Sequence, residues 1–227
     1  MIKNGIDVSE WQGNIDWKRV KTDFAIIRAG YGRFASQADD KFSENYIGCT
    51  SAGIPCGAYW FSYAKSAEDA KREAEACLEV IRGKRFEYPI YYDVEDSRIL
   101  ALGKAAVSSI IRTFIGTLES AGYFVGLYMS ADIFKTYTED DIRRKYALWI
   151  ADYSRKPDVS VEYGMWQKSS TGKINGISGN VDLNEAYEDY PKIIREAGLN
   201  GYTKDEPQKH KISVIIDGKT VIRDYEF

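Results

Sequence analysis

The chain has 227 residues, of which 44% are hydrophobic and 29% charged, and its formal net charge is −3. These values are typical of a globular protein and exclude an intrinsically disordered chain. The 31 Lys+Arg and 34 Asp+Glu form no basic cluster, which argues against a nucleic-acid partner, and no apolar run is long enough for membrane insertion. The single histidine, His210, lies in a polar stretch, so neither a Ser-His-Asp triad nor a His-rich metal site is expected.

Eight short runs rich in β-branched and aromatic residues are predicted strands. In chain order they are residues 5–9, 24–30, 55–62, 89–95, 123–130, 147–153, 164–170 and 181–186. Several are apolar on both faces, which is typical of parallel strands covered by helices.

Helical apolar stripes fill the gaps between the first strands. The predicted helices are residues 15–21, 40–52, 66–82, 104–121 and 132–145, with a last one at 192–197. After residue 153 the connections are too short and too rich in Gly, Pro and Ser for crossover helices. The order predicts an α/β fold, an irregular TIM-like barrel with eight strands and about five helices, with an open doubly wound sheet as the alternative.

The tail has a different composition. Residues 200–209 are a predicted linker, and residues 211–226 contain two β-rich runs around Asp217-Gly218, a strong hairpin signal. Because an isolated hairpin is marginal in water, we expect it to join a barrel edge or a second chain. The predicted domains are a barrel over residues 1–199 and an extension over 200–227, in a monomer or a dimer formed through the hairpin.

Acidic residues lie at or near the ends of three predicted strands. Asp7 ends the first, the pair Asp93 and Glu95 ends the fourth, and Asp182 lies on the last, which neighbours the first in a closed barrel. Residues two apart on a strand face the same side, about 6.6 Å apart, so both members of the pair are predicted to face the mouth of the barrel. Crowded carboxylates raise each other's pKa, which supplies the protonated acid and ionised partner of glycoside hydrolysis. Arginine partners and a Mg²⁺ or Mn²⁺ site are the alternatives.

Aromatic residues also gather near the predicted strand ends, where their rings could stack on sugars, although core packing is the alternative for each. Arg28 and Arg33 flank the end of the second strand and could hold an acidic substituent or form salt bridges. The candidate substrate-binding residues are Tyr31, Tyr63, Tyr92, Tyr128, Trp149, Trp166 and Gln167.

Over residues 1–198 the chain resembles the glycoside hydrolase family 25 lysozymes, the Chalaropsis-type N-acetylmuramidases. The segments that carry the resemblance are GIDVSEWQGNIDW (5–17), FAIIRAGYG (24–32), GAYWFSYA (57–64), PIYYDVED (89–96), GLYMS (126–130), LWIADY (148–153), MWQKSS (165–170) and VDLN (181–184). So many motifs in order are far more specific than one Asp-x-Glu pair.

The resemblance implies a flattened barrel that hydrolyses the β-1,4 bond between N-acetylmuramic acid and N-acetylglucosamine in bacterial cell-wall peptidoglycan (EC 3.2.1.17), without metal or cofactor. It makes Glu95 the proton donor and Asp93 either the nucleophile or the group that orients the substrate's acetamido group. Asp7 and Asp182 complete the acidic cluster. A non-catalytic wall-binding module and a hydrolase of another aminosugar polymer, such as chitin, are the alternatives.

The resemblance does not extend to the tail, and residues 1–20 show no signal-peptide pattern. We expect a secreted or cell-wall-acting protein, either a phage-type lysin or a trimmed secreted or surface-anchored enzyme.

Overall fold

The computed structural model describes residues 1–204 in full and the backbone of residues 209–216 and 219–226. Eight strands close into a barrel in the order β1 to β8. They are β1 Lys3–Val8, β2 Phe24–Tyr31, β3 Cys56–Phe61, β4 Ile90–Asp93, β5 Val125–Ser130, β6 Ala147–Ala151, β7 Met165–Gly172 and β8 Val181–Ala186. The predicted α/β barrel is confirmed, and the open sheet is wrong.

The last strand runs against its neighbours. Strands β1 to β7 pair in parallel, whereas β8 pairs antiparallel with both β7 and β1. The parallel sheet that the alternation of strands and helices predicts therefore does not extend to β8. The segment between β7 and β8, residues 173–180, is too short for the crossover that a parallel neighbour needs. Antiparallel pairing places the start of β8 at the same mouth as the end of β1.

The residues that the structure describes contain seven helices, against about five predicted. They are α1 Phe42–Ser51, α2 Ala67–Ile81, α3 Ser97–Leu100, α4 Lys104–Ser120, α5 Ala131–Tyr137, α6 Asp140–Lys145 and α7 Tyr190–Ala197. Helices α2 and α4 match their predictions to within a residue because each has a strong apolar stripe. Ser66 caps α2, since its hydroxyl accepts from the Asp69 backbone N–H at 3.1 Å.

Two helix predictions are wrong. Residues 132–145 form two helices because Thr138 is buried in an extended conformation that ends α5. Residues 15–21 form turns, in which the Asp16 backbone N–H donates to the Gly176 carbonyl at 2.8 Å. A segment this short makes too few helical hydrogen bonds to offset nucleation, so contacts with the β7–β8 loop decide its shape.

Strand alternation divides the core into two layers. On β4, Ile90 and Tyr92 face outward under the helices, while Tyr91 and Asp93 face the barrel interior. Helix α7 adds Tyr190 to the interior layer. Because side chains fill both layers, a functional site is expected at the opening of the barrel, at the C-terminal end of β4.

The tail forms β9 Lys209–Ile216 and β10 Lys219–Glu226, which pair antiparallel as a separate two-stranded sheet. The closed barrel leaves no edge strand for this sheet to join. The predicted turn Asp217-Gly218 and part of the predicted linker, residues 205–208, lie outside the described residues. The division at residue 199 stays a prediction, although the Asn200 side chain donates to the Tyr88 carbonyl at 2.9 Å and so contacts the barrel.

In the part of the chain that the structure describes, no helix is both long and apolar enough to cross a bilayer.

Candidate active site

Three acidic residues converge at one mouth of the barrel. Asp7 near the end of β1 and Asp93 at the end of β4 are each 5% exposed and face inward. Asp182, half-buried, lies directly opposite Asp7 in the β1–β8 register. The antiparallel direction of β8 is what brings it there, because Asp182 is the second residue of that strand.

Glu95 lies beside this cluster, just beyond the end of β4. The sequence predicts it on β4, but the strand ends at Asp93 and Asp96 already caps α3. Glu95 therefore lies on the two-residue link between them and is exposed to solvent. It lines a groove of about 330 Å³ together with Tyr128 and Tyr153. An acid in this position can reach both a bound ligand and water.

The Asp7 carboxylate is fixed by two side-chain amides. One of its oxygens, Oδ2, accepts from Asn184 Nδ2 at 2.8 Å and from Gln167 Nε2 at 3.0 Å. Gln167 in turn accepts at Oε1 from the hydroxyls of Tyr128 at 2.8 Å and Tyr153 at 2.7 Å. Because the amide oxygen takes two donors, its nitrogen must point at Asp7.

The other amide is oriented in the same way. The indole N–H of Trp149 donates to Asn184 Oδ1 at 2.8 Å, so the Asn184 nitrogen is directed toward Asp7. Trp149 is 1% exposed and packs against Tyr128 with their ring centroids 4.5 Å apart. The side chains that hold Asp7 thus form a connected hydrogen-bond network in which each member has a partner.

The pKa of Asp7 lies well above its ordinary value. Burial is the larger cause and the charge of Asp182 the next, while the bonds from Asn184 and Gln167 act in the opposite direction. Burial also raises the pKa of Asp182, which accepts a hydrogen bond from Asp7. Asp7 therefore keeps a proton to higher pH than an isolated aspartate does.

Burial also raises the pKa of Asp93 strongly, and the charges of Glu95 and Asp7 add to it, whereas Arg28 opposes the shift. Partial desolvation by the surrounding protein raises the pKa of Glu95, and the charge of Asp182 raises it further. The two residues repel each other when both are ionised. Both carboxyl groups therefore keep a proton to higher pH than isolated side chains do, and the ionisation of Glu95 makes that of Asp93 harder.

One oxygen of Asp93, Oδ1, is buried without a hydrogen-bond partner. An unpartnered buried acceptor carries a desolvation cost unless something binds to it. Asp93 neighbours Phe61 on β3 and Tyr128 on β5, so the free oxygen belongs to the wall of the mouth. It is an open position for a ligand N–H or O–H donor.

We expect Asp93→Asn to stabilise the fold at neutral pH by about 0.5–2 kcal/mol, as removal of a strained functional group often does. The raised pKa means that the folded state holds a proton which the unfolded chain has lost, so wild-type stability falls as pH rises from about 3.9 through the raised value. The free energies of unfolding of wild type and Asp93→Asn, measured by denaturant titration at pH 4 and pH 7.5, check this prediction. The gain should be present at pH 7.5 and vanish near pH 4, and an equal effect at both values would contradict the assignment.

The two arginines singled out in the sequence form salt bridges. Arg28 contacts Asp39 at 2.6 Å and Glu10 at 2.5 Å, which neutralises it within the wall of the mouth. Arg33 contacts Asp69 at 2.7 Å but stays 45% exposed. Arg28 is therefore a structural cation, and Arg33 keeps a face toward solvent.

The structure places five of the seven candidate substrate-binding residues at this mouth. Tyr128, Trp149 and Gln167 belong to the network on Asp7. Tyr31 and Tyr63 lie at the rim, with their rings edge-on and 6.1 Å apart.

Tyr92 and Trp166 lie elsewhere. Tyr92 lies between two inward-facing residues of β4, so its side chain faces outward. There its ring stacks on Phe114 with the ring centroids 3.8 Å apart, and its hydroxyl donates to Glu73 at 2.7 Å. Trp166 lies on the outer side of β7 and donates to the Asp152 carbonyl at 2.8 Å. Strand alternation alone excludes both, because each adjoins a residue that faces the mouth.

Sequence reasoning did not select Asn184, Tyr153 or Tyr59. Asn184 was recognisable, since it lies two residues after Asp182 on the same face of the same strand. Tyr153 and Tyr59 carried no signal beyond their position near strand ends. Burial and then the charge of Asp7 raise the pKa of Tyr59, so it is a neutral hydroxyl beside the cluster.

Among residues 1–204, no three His, Cys, Asp or Glu side chains form a group that could hold a metal ion.

An eight-stranded barrel with an acid pair at the C-terminal end of β4 and aromatic rings at the rim defines a glycosidase type of site. The chain belongs to glycosyl hydrolases family 25, whose sequence profile matches residues 6–177.

Named relatives agree with the family. The autolytic lysozyme of Clostridium acetobutylicum is 31% identical over 81% of this chain and 56% of its own length. Lysozyme M1 of Streptomyces globisporus is 30% identical over 80% of this chain and 66% of its own. The modular autolysin LytC of Streptococcus pneumoniae, solved with a synthetic peptidoglycan ligand, superposes with a TM-score of 0.73 at 30% identity, covering 82% of this chain and 47% of that one. The chain thus spans about half to two thirds of these relatives.

Proposed function

We propose that this protein hydrolyses the β-1,4 bond between N-acetylmuramic acid and N-acetylglucosamine in peptidoglycan, and so acts on the bacterial cell wall. The observation that carries the proposal is the solvent-facing Glu95 beside the buried Asp93, whose Oδ1 has no partner. The similarity to two lysozymes and to an autolysin solved with a peptidoglycan ligand supports this substrate.

Glu95 is the general acid in this proposal. Its raised pKa keeps it protonated at a pH where ordinary glutamates are ionised, and its exposed position lets it meet the oxygen of the leaving sugar. After bond cleavage the ionised Glu95 can take a proton from the incoming water. One residue thereby serves as acid and then as base.

Asp93 holds the substrate's acetamido group. An acetamido N–H would supply the missing partner of Asp93 Oδ1, and a donor at that atom favours the ionised form of the carboxylate. The acetamido oxygen is then turned toward the anomeric carbon, where it can attack as the bond breaks. The alternative, direct attack by Asp93, needs the same ionised carboxylate but no acetamido group.

Asp7 and Asp182 support the reacting pair through charge. Together they hold at least one negative charge near Glu95 and Asp93, which stabilises the positive charge that develops on the sugar ring. The amides of Asn184 and Gln167 keep Asp7 in place. A site built in advance in this way needs little rearrangement during the reaction.

A digest of purified peptidoglycan tests the function. The products are reduced with borohydride and analysed by mass spectrometry, and we expect reduced muramic-acid ends. Reduced glucosamine ends would assign the other glycosidic bond. Cleavage of chitin oligomers in preference to peptidoglycan would favour a different aminosugar polymer, and sedimentation with walls without any product would favour a binding module.

A further inference from the structure

A second concavity opens at the same mouth, and we name it the basic rim pocket. It has a volume of about 480 Å³. Its lining includes Arg33, Phe34, Tyr63, Lys65, Asp69 and Arg98. The catalytic proposal uses none of these side chains except Tyr63 as a rim residue.

The basic rim pocket carries an excess of positive charge. Of its three cations, Arg33 contacts Asp69 at 2.7 Å and Arg98 contacts Asp96 at 2.7 Å. Lys65 is exposed, and its ammonium group makes no ion pair within residues 1–204. A lysine without a partner beside two partly exposed arginines attracts an anion.

Exposed aromatic rings form the apolar part of the pocket. Phe34 is 61% exposed and Tyr63 is 40% exposed. The Arg98 guanidinium lies 5.1 Å from the centre of the Tyr63 ring, which holds both groups in position. The combination suits a ligand with both a charged group and an apolar part.

The pocket is connected to the proposed reaction site through the backbone. Tyr63 follows Phe61, which pairs with Asp93 across β3 and β4, and Arg98 lies three residues after Glu95. A group bound in the pocket can therefore be attached to the same glycan that Asp93 and Glu95 hold.

The groove that Glu95 itself lines has a different charge. Its lining has three other acids, Asp132, Asp152 and Asp158, against two cations, Lys135 and Arg155. An acidic substituent is thus favoured in the basic rim pocket and disfavoured in this groove.

We propose that the basic rim pocket binds a carboxylate of the peptide stem attached to N-acetylmuramic acid. Neutral sugar hydroxyls give the pocket's cations no charged partner, whereas each muramic acid carries a lactyl group to which an acidic peptide is joined. This inference rests on the proposed function. It predicts that the enzyme distinguishes stem-bearing glycan from glycan whose stem has lost its charge.

The test compares two matched substrates. Soluble peptidoglycan fragments with intact stems are assayed beside the same fragments after carbodiimide coupling with ammonia, which converts the carboxylates to neutral amides. Wild type, Lys65→Gln and the control Lys71→Gln are measured on both. Lys71 is an exposed lysine on α2 outside the pocket, so its variant loses the same charge elsewhere.

We expect Lys65→Gln to raise KM on the acidic fragments by about 2–5-fold, the effect of one exposed charge pair, without changing kcat. Its KM on the amidated fragments and all values for Lys71→Gln should equal those of wild type. High salt should weaken the wild-type preference because exposed charges are screened.

Other results would overturn the proposal. If wild type cleaves both fragments with equal KM and Lys65→Gln changes nothing, the pocket does not bind the stem while the glycosidase activity stands. If the preference disappears only on removal of phosphate polymers from the wall fragments, the anion is a phosphate. If wild type cleaves neither fragment, the proposed function itself fails.

Discussion

Glu95→Gln is expected to lower kcat on peptidoglycan by about 10²–10⁴-fold, the usual contribution of a general acid. Glutamine keeps the size and polarity of the side chain but cannot give a proton to the leaving oxygen. Because Glu95 is exposed on the link between β4 and α3, the fold does not depend on its charge. The melting temperature should therefore not fall below the wild-type value, which separates lost chemistry from lost structure.

A glutamate distant from the mouth provides the control. Glu79 is exposed on α2, and Glu79→Gln removes one negative charge without touching the site. Release of reducing ends and thermal melting are measured for both variants and for wild type. Full activity of Glu95→Gln would assign the proton transfer to another residue, of which Asp93 is the first to examine.

Glu73→Leu is expected to destabilise the protein by about 3 kcal/mol or more. Glu73 on α2 is fully buried and accepts hydrogen bonds from the Ser62 hydroxyl at 2.9 Å, the Tyr92 hydroxyl at 2.7 Å and the Tyr63 backbone N–H at 2.7 Å. Leucine leaves the Tyr63 N–H and one of the two hydroxyls without an acceptor, because the hydroxyls lie 2.7 Å apart and one of them can still donate to the other. Each unsatisfied buried group costs about 1–3 kcal/mol. For a protein of this size, 3 kcal/mol corresponds to a shift in Tm of roughly 6–12 °C.

Glu73→Gln is the matched variant, because the amide keeps an acceptor oxygen and the shape of the side chain. Burial raises the pKa of Glu73, so the folded state holds its proton to higher pH than the unfolded chain does. The contribution of this group to wild-type stability is therefore greatest below its ordinary pKa and falls as pH rises. The free energy of unfolding of Glu73→Gln, relative to that of wild type, should be more favourable at pH 7.5 than at pH 4. A Glu73→Leu variant with the melting temperature of wild type would contradict the prediction and show that water satisfies the donors that lose Glu73.

Local sequence patterns determined the strand count, helices α2 and α4, and the placement of acids at strand ends. Each depends on the side-chain period of a strand (two residues) or a helix (3.6 residues). This period identifies the buried face of a segment from its own sequence, whatever segments pack against it. The same alternation predicts that Asp93 faces the mouth and, had it been applied to the aromatic residues, excludes Tyr92 and Trp166. The closeness of Asp7 and Asp182 also followed from the sequence, because closure of eight strands makes the first and last neighbours.

Only the tertiary structure decided the direction of β8, the place of Glu95 and the role of Glu73. A strand's period is the same in parallel and antiparallel pairs, so the sequence pattern did not reveal that Asp182 reaches the mouth from the start of its strand. Glu73 lies among the buried positions of an apolar stripe, and its partners come from β4 and from the residues after β3. The network of Gln167, Asn184 and Asp7 joins residues up to 177 positions apart. Hydrogen bonds between distant segments depend on where those segments meet in space, which periodicity along one chain does not specify.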